Sequence, residues 1–245
     1  MKNWLIVLTG TLLISMSGIV QAAPMTKDQG DAILKELQEI KQLLARQQPP
    51  QQQPSAPPTP EKLTVKGGDA QYVLGNANAP LTLVAFTDYQ CPFCGRFEAS
   101  TFPVLKTNYI DTGKLRFILR DLPLEFHPFA LKAAQSVHCA GDQGKYWEMK
   151  ERVFKNQSSL DADALAGYAK DVSINVEAFK SCMTSGNHLK EIGDEAKYAA
   201  SLGISGTPTF VLGKVVGDSV EGKVIVGAQP LEVFETAIKD MLDKR

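Results

Sequence analysis

Residues 81–94 read LTLVAFTDYQCPFC, and this stretch decides the fold. Residues 81–86 are almost continuously apolar, which is typical of a strand buried on both faces. Residues 95–101 are compatible with a helix. Cys91 and Cys94 therefore lie where a strand gives way to a helix, and two cysteines separated by two residues at such a point indicate a redox-active pair.

The position at a helix start explains why Cys91 should be reactive. A helix N-terminus presents unpaired N–H groups and the positive end of the helix dipole, which lower the pKa of a nearby thiol. We predict that Cys91 is the nucleophile and that Cys94 resolves the mixed disulfide. Pro92 and Phe93, between them, are predicted to tune the redox properties. Asp88 is predicted to be a turn residue, with proton transfer to Cys94 as the alternative.

The same cysteine pair could instead be half of a zinc site or a structural disulfide. A zinc site needs two further ligands at short spacing, and the sequence has neither a second Cys-x-x-Cys nor a His-x3–5-His. We therefore predict no metal site and no bound cofactor, because the Cys91–Cys94 disulfide itself carries two electrons. His127, His138 and His188 are predicted to be surface or capping residues.

Two rival functions remain open for this cysteine pair. One is handling of a soft cation such as Cu(I), since thiolates are soft ligands. The other is a scaffold that only binds client proteins.

The composition is that of an ordinary globular protein. The chain has 245 residues, of which 44% are hydrophobic and 22% charged, and a net charge of −1. A nearly neutral chain gives no indication of nucleic-acid binding. The lysines and glutamates of residues 145–155 and 190–197 are predicted to lie on solvated helix faces.

Residues 1–22 have the features of a secretory signal peptide. Lys2 provides the positive start, residues 4–20 are apolar, and cleavage is predicted after Ala22. An uncleaved membrane anchor is the alternative. We therefore predict export to the periplasm, a compartment in which disulfides persist.

Residues 23–47 are predicted to form an amphipathic helix. Ile33, Leu37, Ile40 and Leu44 recur at heptad spacing, which predicts a coiled coil and a homo-oligomer formed through residues 25–47. Docking of this helix on its own domain is the alternative. Residues 48–61 are rich in proline and glutamine and are predicted to be a semi-rigid linker.

Residues 62–245 are predicted to form an α/β domain. Residues 63–65, 81–86 and 114–119 are predicted strands, and the last two should be parallel because a helix connects them. Residues 209–212 and 223–226 are predicted to form a hairpin, followed by a closing helix over 230–242. The interval at about 126–203 has only helical periodicity and is predicted to be a helical insertion.

Four stretches together resemble the DsbA-like family of thiol–disulfide oxidoreductases. They are FTDYQCPFC at 86–94, RDLPL at 120–124, QGKYWEM at 143–149 and GTPTF at 206–210. The resemblance implies a thioredoxin fold with an inserted helical subdomain and a periplasmic setting. It also implies exported cysteine-containing proteins as substrates, and a membrane redox partner that reoxidises or reduces the pair.

The resemblance further implies roles for Thr207 and Pro208. In thioredoxin-like families a cis-proline faces the active-site cysteines, and the preceding residue pairs with the substrate backbone. Phe93 departs from the best-known oxidases, which have histidine there, and we expect a less oxidising disulfide. The Phe-Thr-Asp run before the motif and Thr207 are also similar to the oligomeric periplasmic disulfide isomerases.

Cys139 and Cys182 are the two cysteines outside the motif, and both fall on predicted helices of the insertion. In an oxidising compartment we predict that they form a structural disulfide. Two free thiols, or a second redox pair, are the alternatives. The sequence does not show whether their Cα atoms approach closely enough for a bond.

Overall fold

The computed structural model describes residues 26–47, 60–67 and 72–243. The chain divides into two compact units, Met1–Ser55 and Ala56–Arg245. The signal peptide predicted for residues 1–22 and most of the linker predicted for 48–61 lie outside the described residues. Among the described helices, none combines the length and apolar character that a bilayer span requires.

The described part of the first unit is helix α1, which spans Lys27–Gln47. Ile33, Leu37 and Ile40, the first three positions of the predicted heptad seam, are about half exposed. The side chain of Leu44, the fourth position, lies outside the described side chains.

The second unit is built on a mixed sheet. Its order is β1-β6-β5-β3-β4-β2. The strands are β1 (Lys62–Lys66), β2 (Val73–Leu74), β3 (Leu81–Thr87), β4 (Leu115–Asp121), β5 (Thr209–Val216) and β6 (Ser219–Val226). Strand β3 runs parallel to β4 and antiparallel to β5. The parallel pair and the β5–β6 hairpin were predicted, whereas β2 was not, because two residues are too short to show a period.

Helices cover both faces of the sheet. After β3 the chain forms α2 (Pro92–Arg96), a π-helical turn (Phe97–Thr101), α3 (Phe102–Leu105) and a second π-helical turn (Lys106–Ile110). The insertion between β4 and β5 holds α4 (Ala130–Gly141), α5 (Tyr146–Phe154), α6 (Ala162–Asp171), α7 (Val176–Ser185) and α8 (Leu189–Ser201), and α9 (Leu231–Asp243) closes the domain. The thioredoxin fold with a helical insertion is therefore confirmed.

Strand β3 lies between two parts of the hydrophobic core. All seven of its residues are buried. Leu83 and Ala85 pack in one cluster with residues of α3, α4 and α9, whereas Val84 and Phe86 pack in a second cluster with residues of α8. Successive side chains of a strand point to opposite faces, so the apolar run lets β3 pack against both clusters at the centre of the sheet. The cysteine motif follows directly after the carboxyl end of β3.

Lys150 of the insertion is buried in an ion pair with Glu98 of the first π-helical turn, contrary to the prediction that the charges of residues 145–155 are solvated. Lys150 is only 1% exposed, and its Nζ lies 2.5 Å from Glu98 Oε2 and 3.9 Å from the centroid of the Phe102 ring. Burial raises the pKa of Glu98 and lowers that of Lys150, and the attraction between them opposes both shifts. The prediction was wrong for Lys150, because helical periodicity does not show which helix packs against this face. The side chains of Lys145, Glu148, Glu151 and Lys155 are 40–66% exposed, as predicted.

Candidate active site around Cys91 and Cys94

The turn between β3 and α2 fixes the position of Cys91. Cys91 is the N-cap of α2, and Pro92 occupies the first helical position, where a missing N–H costs nothing. Asp88 Oδ1 accepts hydrogen bonds from the backbone N–H groups of Gln90 and Cys91, at 2.7 and 3.1 Å. Asp88 Oδ2 accepts from the N–H of Leu124 at 2.8 Å. Asp88 is therefore a turn residue that ties the motif to the segment after β4.

The helix start and the second cysteine make Cys91 acidic. A hydrogen bond from the Cys94 thiol lowers the pKa of Cys91 most; burial opposes it, and Thr207 and the N–H groups of Cys94 and Phe93 lower it further, to about 5. A thiolate is the nucleophilic form of cysteine. Cys91 is thus ionised at neutral pH.

Cys94 has the opposite protonation state. It is 1% exposed, and burial together with the adjacent Cys91 sulfur raises the pKa of its thiol well above the ordinary value. Both cysteines are free thiols in this structure. The two buried cysteines therefore differ in protonation state, with an ionised Cys91 at the helix start and a protonated Cys94 one turn later.

The loop before β5 lies next to Cys91, because β5 pairs directly with β3. The Thr207–Pro208 peptide bond is cis, and the Cys91 thiol lies 3.4 Å from the Thr207 carbonyl oxygen. Pro208 is buried and Thr207 half-buried. The Thr207 carbonyl therefore lies directly beside the Cys91 sulfur.

Gln157, in the loop between α5 and α6, is a site residue that sequence reasoning missed. Its Nε2 donates to the carbonyl oxygens of Tyr89 and Cys91, both at 2.9 Å. The side chain approaches so closely that a Cβ at Gly95 would lie 1.9 Å from Gln157 Oε1, so this helix position accepts only glycine without rearrangement. A single glutamine in a helical region gives no sequence signal of such a contact.

Exposed aromatic side chains surround the motif. Phe93 is 54% exposed, Phe126 74% and Phe129 44%. Two contacts hold the segment of Phe126 and Phe129 beside the motif. The Phe129 N–H donates to Gln90 Oε1 at 2.7 Å. His127 Nδ1, next to Phe126 in the chain, lies 2.8 Å from Asp88 Oδ2. Exposed apolar side chains grouped at one site indicate a binding surface for apolar groups.

The other two cysteines lie within the insertion. Cys139 on α4 and Cys182 on α7 are joined by a disulfide, with their Cα atoms 5.8 Å apart. Both are buried. The bond connects two helices of the insertion and belongs to its core. The Cys91–Cys94 pair lies on a different element, at the start of α2.

The prediction that all three histidines are surface or capping residues was wrong for His138. Its side chain is 1% exposed, and its Nε2 lies 2.5 Å from Asp121 Oδ2. Burial acts to lower the pKa of His138, but the carboxylates of Asp121 and Glu191 raise it to about 9. The position of β4 against α4 decides this contact, which the local sequence does not show.

Comparison with known proteins places this site in a family. The family model described as Thioredoxin matches residues 68–240, which includes the cysteine motif and the cis-proline loop. A curated relative, the Na(+)/H(+) antiporter NhaA 1 of Salinispora arenicola, is 31% identical over 171 residues, which are 69% of this chain and 24% of that protein. The chain thus spans about a quarter of the length of this relative.

Solved structures give the same fold. The T172V variant of α-DsbA1 from Wolbachia pipientis is 28% identical with a TM-score of 0.65, over 71% of this chain and 91% of that one. The catalytic domain of ScsC from Proteus mirabilis is 25% identical with a TM-score of 0.57, over 71% and 91% of the two chains. With its cysteine pair at the start of α2 and its helical insertion, the chain belongs to the thioredoxin superfamily and, within it, to the DsbA-like proteins.

Proposed function

We propose that the protein is an exported thiol–disulfide oxidoreductase that acts on the cysteines of other exported proteins. The observation that carries this proposal is the unequal pair, an ionised Cys91 beside a protonated and buried Cys94. Nucleophilic attack needs a thiolate, and resolution needs a second thiol held next to the first. No bound cofactor enters the reaction, because the two sulfur atoms carry the electrons.

The exchange proceeds in two balanced steps. In reduction of a client, the Cys91 thiolate attacks one sulfur of the client disulfide, which forms a mixed disulfide and releases the other client sulfur as a thiolate. Cys94 then loses its proton and attacks the Cys91 sulfur, which releases the second client thiolate and closes the Cys91–Cys94 disulfide. Oxidation of a client dithiol is the same sequence reversed. Isomerisation ends instead when another client thiolate displaces Cys91.

Client recognition uses the backbone and the aromatic surface. The carbonyl of Thr207, beside the Cys91 sulfur, and the turn at Pro208 are proposed to hold an extended client segment as an added strand. The exposed rings of Phe93, Phe126 and Phe129 would contact its apolar side chains. This chemistry fits unfolded or partly folded polypeptides, which expose both cysteines and apolar residues.

We further propose that α1 joins several copies of the chain. Its half-exposed Ile33, Leu37 and Ile40 are the residues that a coiled coil would bury. Several redox sites around one client would raise the effective concentration of thiols and would favour isomerisation over simple oxidation. A membrane redox partner would then restore the active oxidation state.

Trapping tests the catalytic proposal. A Cys94→Ser variant lacks the resolving thiol, so it should accumulate mixed disulfides between Cys91 and client proteins in the periplasm. Cys91→Ser is the matched control and should trap none. The absence of adducts with Cys94→Ser would refute the proposal and favour a scaffold.

Refolding of a scrambled disulfide substrate tests the oligomer. Full-length protein should isomerise it faster than a version without residues 23–60, and sedimentation should show that the truncated version is a monomer. Equal isomerase activity of the two would refute the role of the oligomer. Copper handling, the alternative use of the same cysteines, requires tight Cu(I) uptake by the reduced protein without mixed-disulfide adducts.

A further inference from the structure

Two histidines and a glutamate that are far apart in sequence converge within the insertion. His138 lies on α4, whereas His188 is the N-cap of α8 and Glu191 belongs to its first turn. Glu191 Oε2 lies 3.0 Å from His188 Nδ1 and 3.6 Å from His138 Nδ1. The three groups each offer one ligand atom, and these atoms all lie within 4.8 Å of one another.

A carboxylate holds the far side of each imidazole. His138 Nε2 lies 2.5 Å from Asp121 Oδ2, and His188 Nε2 lies 2.9 Å from Asp142 Oδ2. When Nε2–H donates to a carboxylate, the tautomer is fixed and Nδ1 becomes the atom available to a metal. Both Nδ1 atoms face the same oxygen of Glu191. Histidines that bind metals usually donate their other ring N–H to a carboxylate in this way.

We propose that His138, His188 and Glu191 bind a divalent transition-metal ion, with Zn²⁺ as the best match. Two imidazoles and one carboxylate suit a borderline ion, because Mg²⁺ and Ca²⁺ prefer oxygen ligands and Cu(I) prefers sulfur. Atoms that ligate Zn²⁺ at about 2.0–2.2 Å in a tetrahedron lie roughly 3.3–3.6 Å apart. The two separations measured from Glu191 Oε2 lie close to that range, so small side-chain movements are enough.

The surroundings also favour a cation. Asp121, Asp142 and Glu191 place three carboxylates around two imidazoles. The Tyr72 hydroxyl donates to Glu191 Oε1 at 3.0 Å, and this bond orients the carboxylate so that Oε2 faces the histidines. His188 has φ 66°, a left-handed conformation that is uncommon outside glycine and that persists where the surroundings impose it.

The fourth position of the ion would be open to water. His138 is 1% exposed, whereas the side chains of His188 and Glu191 are 16% and 41% exposed, so an ion can enter from solvent. His138 Nδ1 also lies 2.7 Å from the Tyr72 hydroxyl oxygen, and a bound ion would replace this contact. The ion would tie α4 to α8 beside the Cys139–Cys182 disulfide.

Calorimetric titration with ZnCl₂ tests the site. The tag-free full-length protein is used with Cys91 and Cys94 closed as a disulfide, so that their thiols cannot bind the metal. We expect one Zn²⁺ per chain and a higher Tm in its presence. Co²⁺ should give the intense visible bands of a four-coordinate site. Lack of stoichiometric binding by the wild type would overturn the proposal.

Variants assign the binding to these residues. His188→Ala and Glu191→Gln, both partly exposed positions, should lower the affinity at least about tenfold. Asp142→Asn should lower it by about 10–100-fold, because Asp142 orients the His188 ring. His127→Ala removes the third histidine of the chain and is the matched control, with affinity unchanged. Circular dichroism verifies folding of each variant. Wild-type affinity in His188→Ala would refute the assignment.

Discussion

Removal of the Cys94 thiol should raise the pKa of Cys91, because the hydrogen bond from Cys94 is the largest of the contributions that lower it. In Cys94→Ala this donor is lost, while the N–H groups at the start of α2 remain. In Cys94→Ser a hydroxyl donor remains at the same place. The two variants therefore separate the hydrogen bond from the helix start.

The magnitude follows from the strength of a hydrogen bond to a charged group. Such a bond contributes about 1.5–3 kcal/mol, which corresponds to roughly one to two pKa units at about 1.4 kcal/mol per unit. The pKa of Cys91 should thus rise from about 5 to about 6–7 in Cys94→Ala. At about pH 6 the ionised fraction should fall from roughly 90% to roughly 10–50%. Cys94→Ser should shift by less than about one unit.

Ultraviolet absorbance of the thiolate as a function of pH measures these values. In either variant Cys91 is the one free thiol when the Cys139–Cys182 disulfide is intact. The rate of alkylation as a function of pH gives an independent value. A pKa that stays at about 5 in Cys94→Ala would refute the reasoning and assign the acidity to the helix start. Equal shifts in both variants would show that the hydrogen bond is not the cause.

The same pKa sets the pH dependence of the redox reaction. A lowered pKa stabilises the reduced form, which alone carries the thiolate. This stabilisation is complete above the ordinary thiol pKa of 9.0 and is lost as pH falls through about 5. The reduction potential of the Cys91–Cys94 pair should therefore change its slope with pH near 5. It is measured by equilibration with glutathione, and a slope that is constant across this pH would contradict the lowered pKa.

Three further predictions concern stability and are measured by denaturant unfolding. Lys150→Met leaves the buried Glu98 carboxylate unpaired and should lower the free energy of unfolding by about 3–5 kcal/mol, whereas the double variant with Glu98→Gln should recover most of the loss. Replacement of Cys139 and Cys182 by serine removes a disulfide that spans 43 residues. This should lower the free energy of unfolding by up to about 4 kcal/mol. Asp88→Ala removes the acceptor of the Gln90 and Leu124 N–H groups and one of the two acceptors of the Cys91 N–H, and it should lower the free energy of unfolding by about 2–4 kcal/mol.

Each of these predictions has a contradicting outcome. A Glu98→Gln, Lys150→Met double variant as unstable as the single Lys150→Met would show that the lost packing of the lysine, and not an unpaired charge, is the cause. Unchanged stability without the Cys139–Cys182 bond would show that the insertion is held by its core alone. An Asp88→Ala variant as stable as the wild type would mean that water replaces the carboxylate at the turn.

Much of the fold could be predicted from local patterns. The apolar run at 81–86 predicted a central strand because a short strand covered on both faces has apolar residues at successive positions. The helical spacing of the insertion predicted its helical character, and the segments at 209–212 and 223–226 were predicted to form the hairpin of β5 and β6. Strand β2 was missed because its pairing with β4 is not encoded in its two residues.

The cysteine motif was visible in the sequence because its chemistry is local: four consecutive residues place one thiol at a helix start and the other one turn later. The contacts that surround it depend on residues distant in sequence. The Thr207 carbonyl approaches Cys91 from the loop before β5, and Gln157 approaches it from the insertion. A resemblance to a family indicated the first of these, and no pattern indicated the second.

The sequence by itself determined the central strand, the redox motif at its carboxyl end and the helical character of the insertion, because these depend on neighbours along the chain. Only the tertiary structure decided which polar residues are buried together. Lys150 meets Glu98, and His138 meets Asp121, through the packing of helices on the sheet. Side chains that look solvated in sequence become paired charges when packing removes them from water, since a buried charge is stable only with a partner.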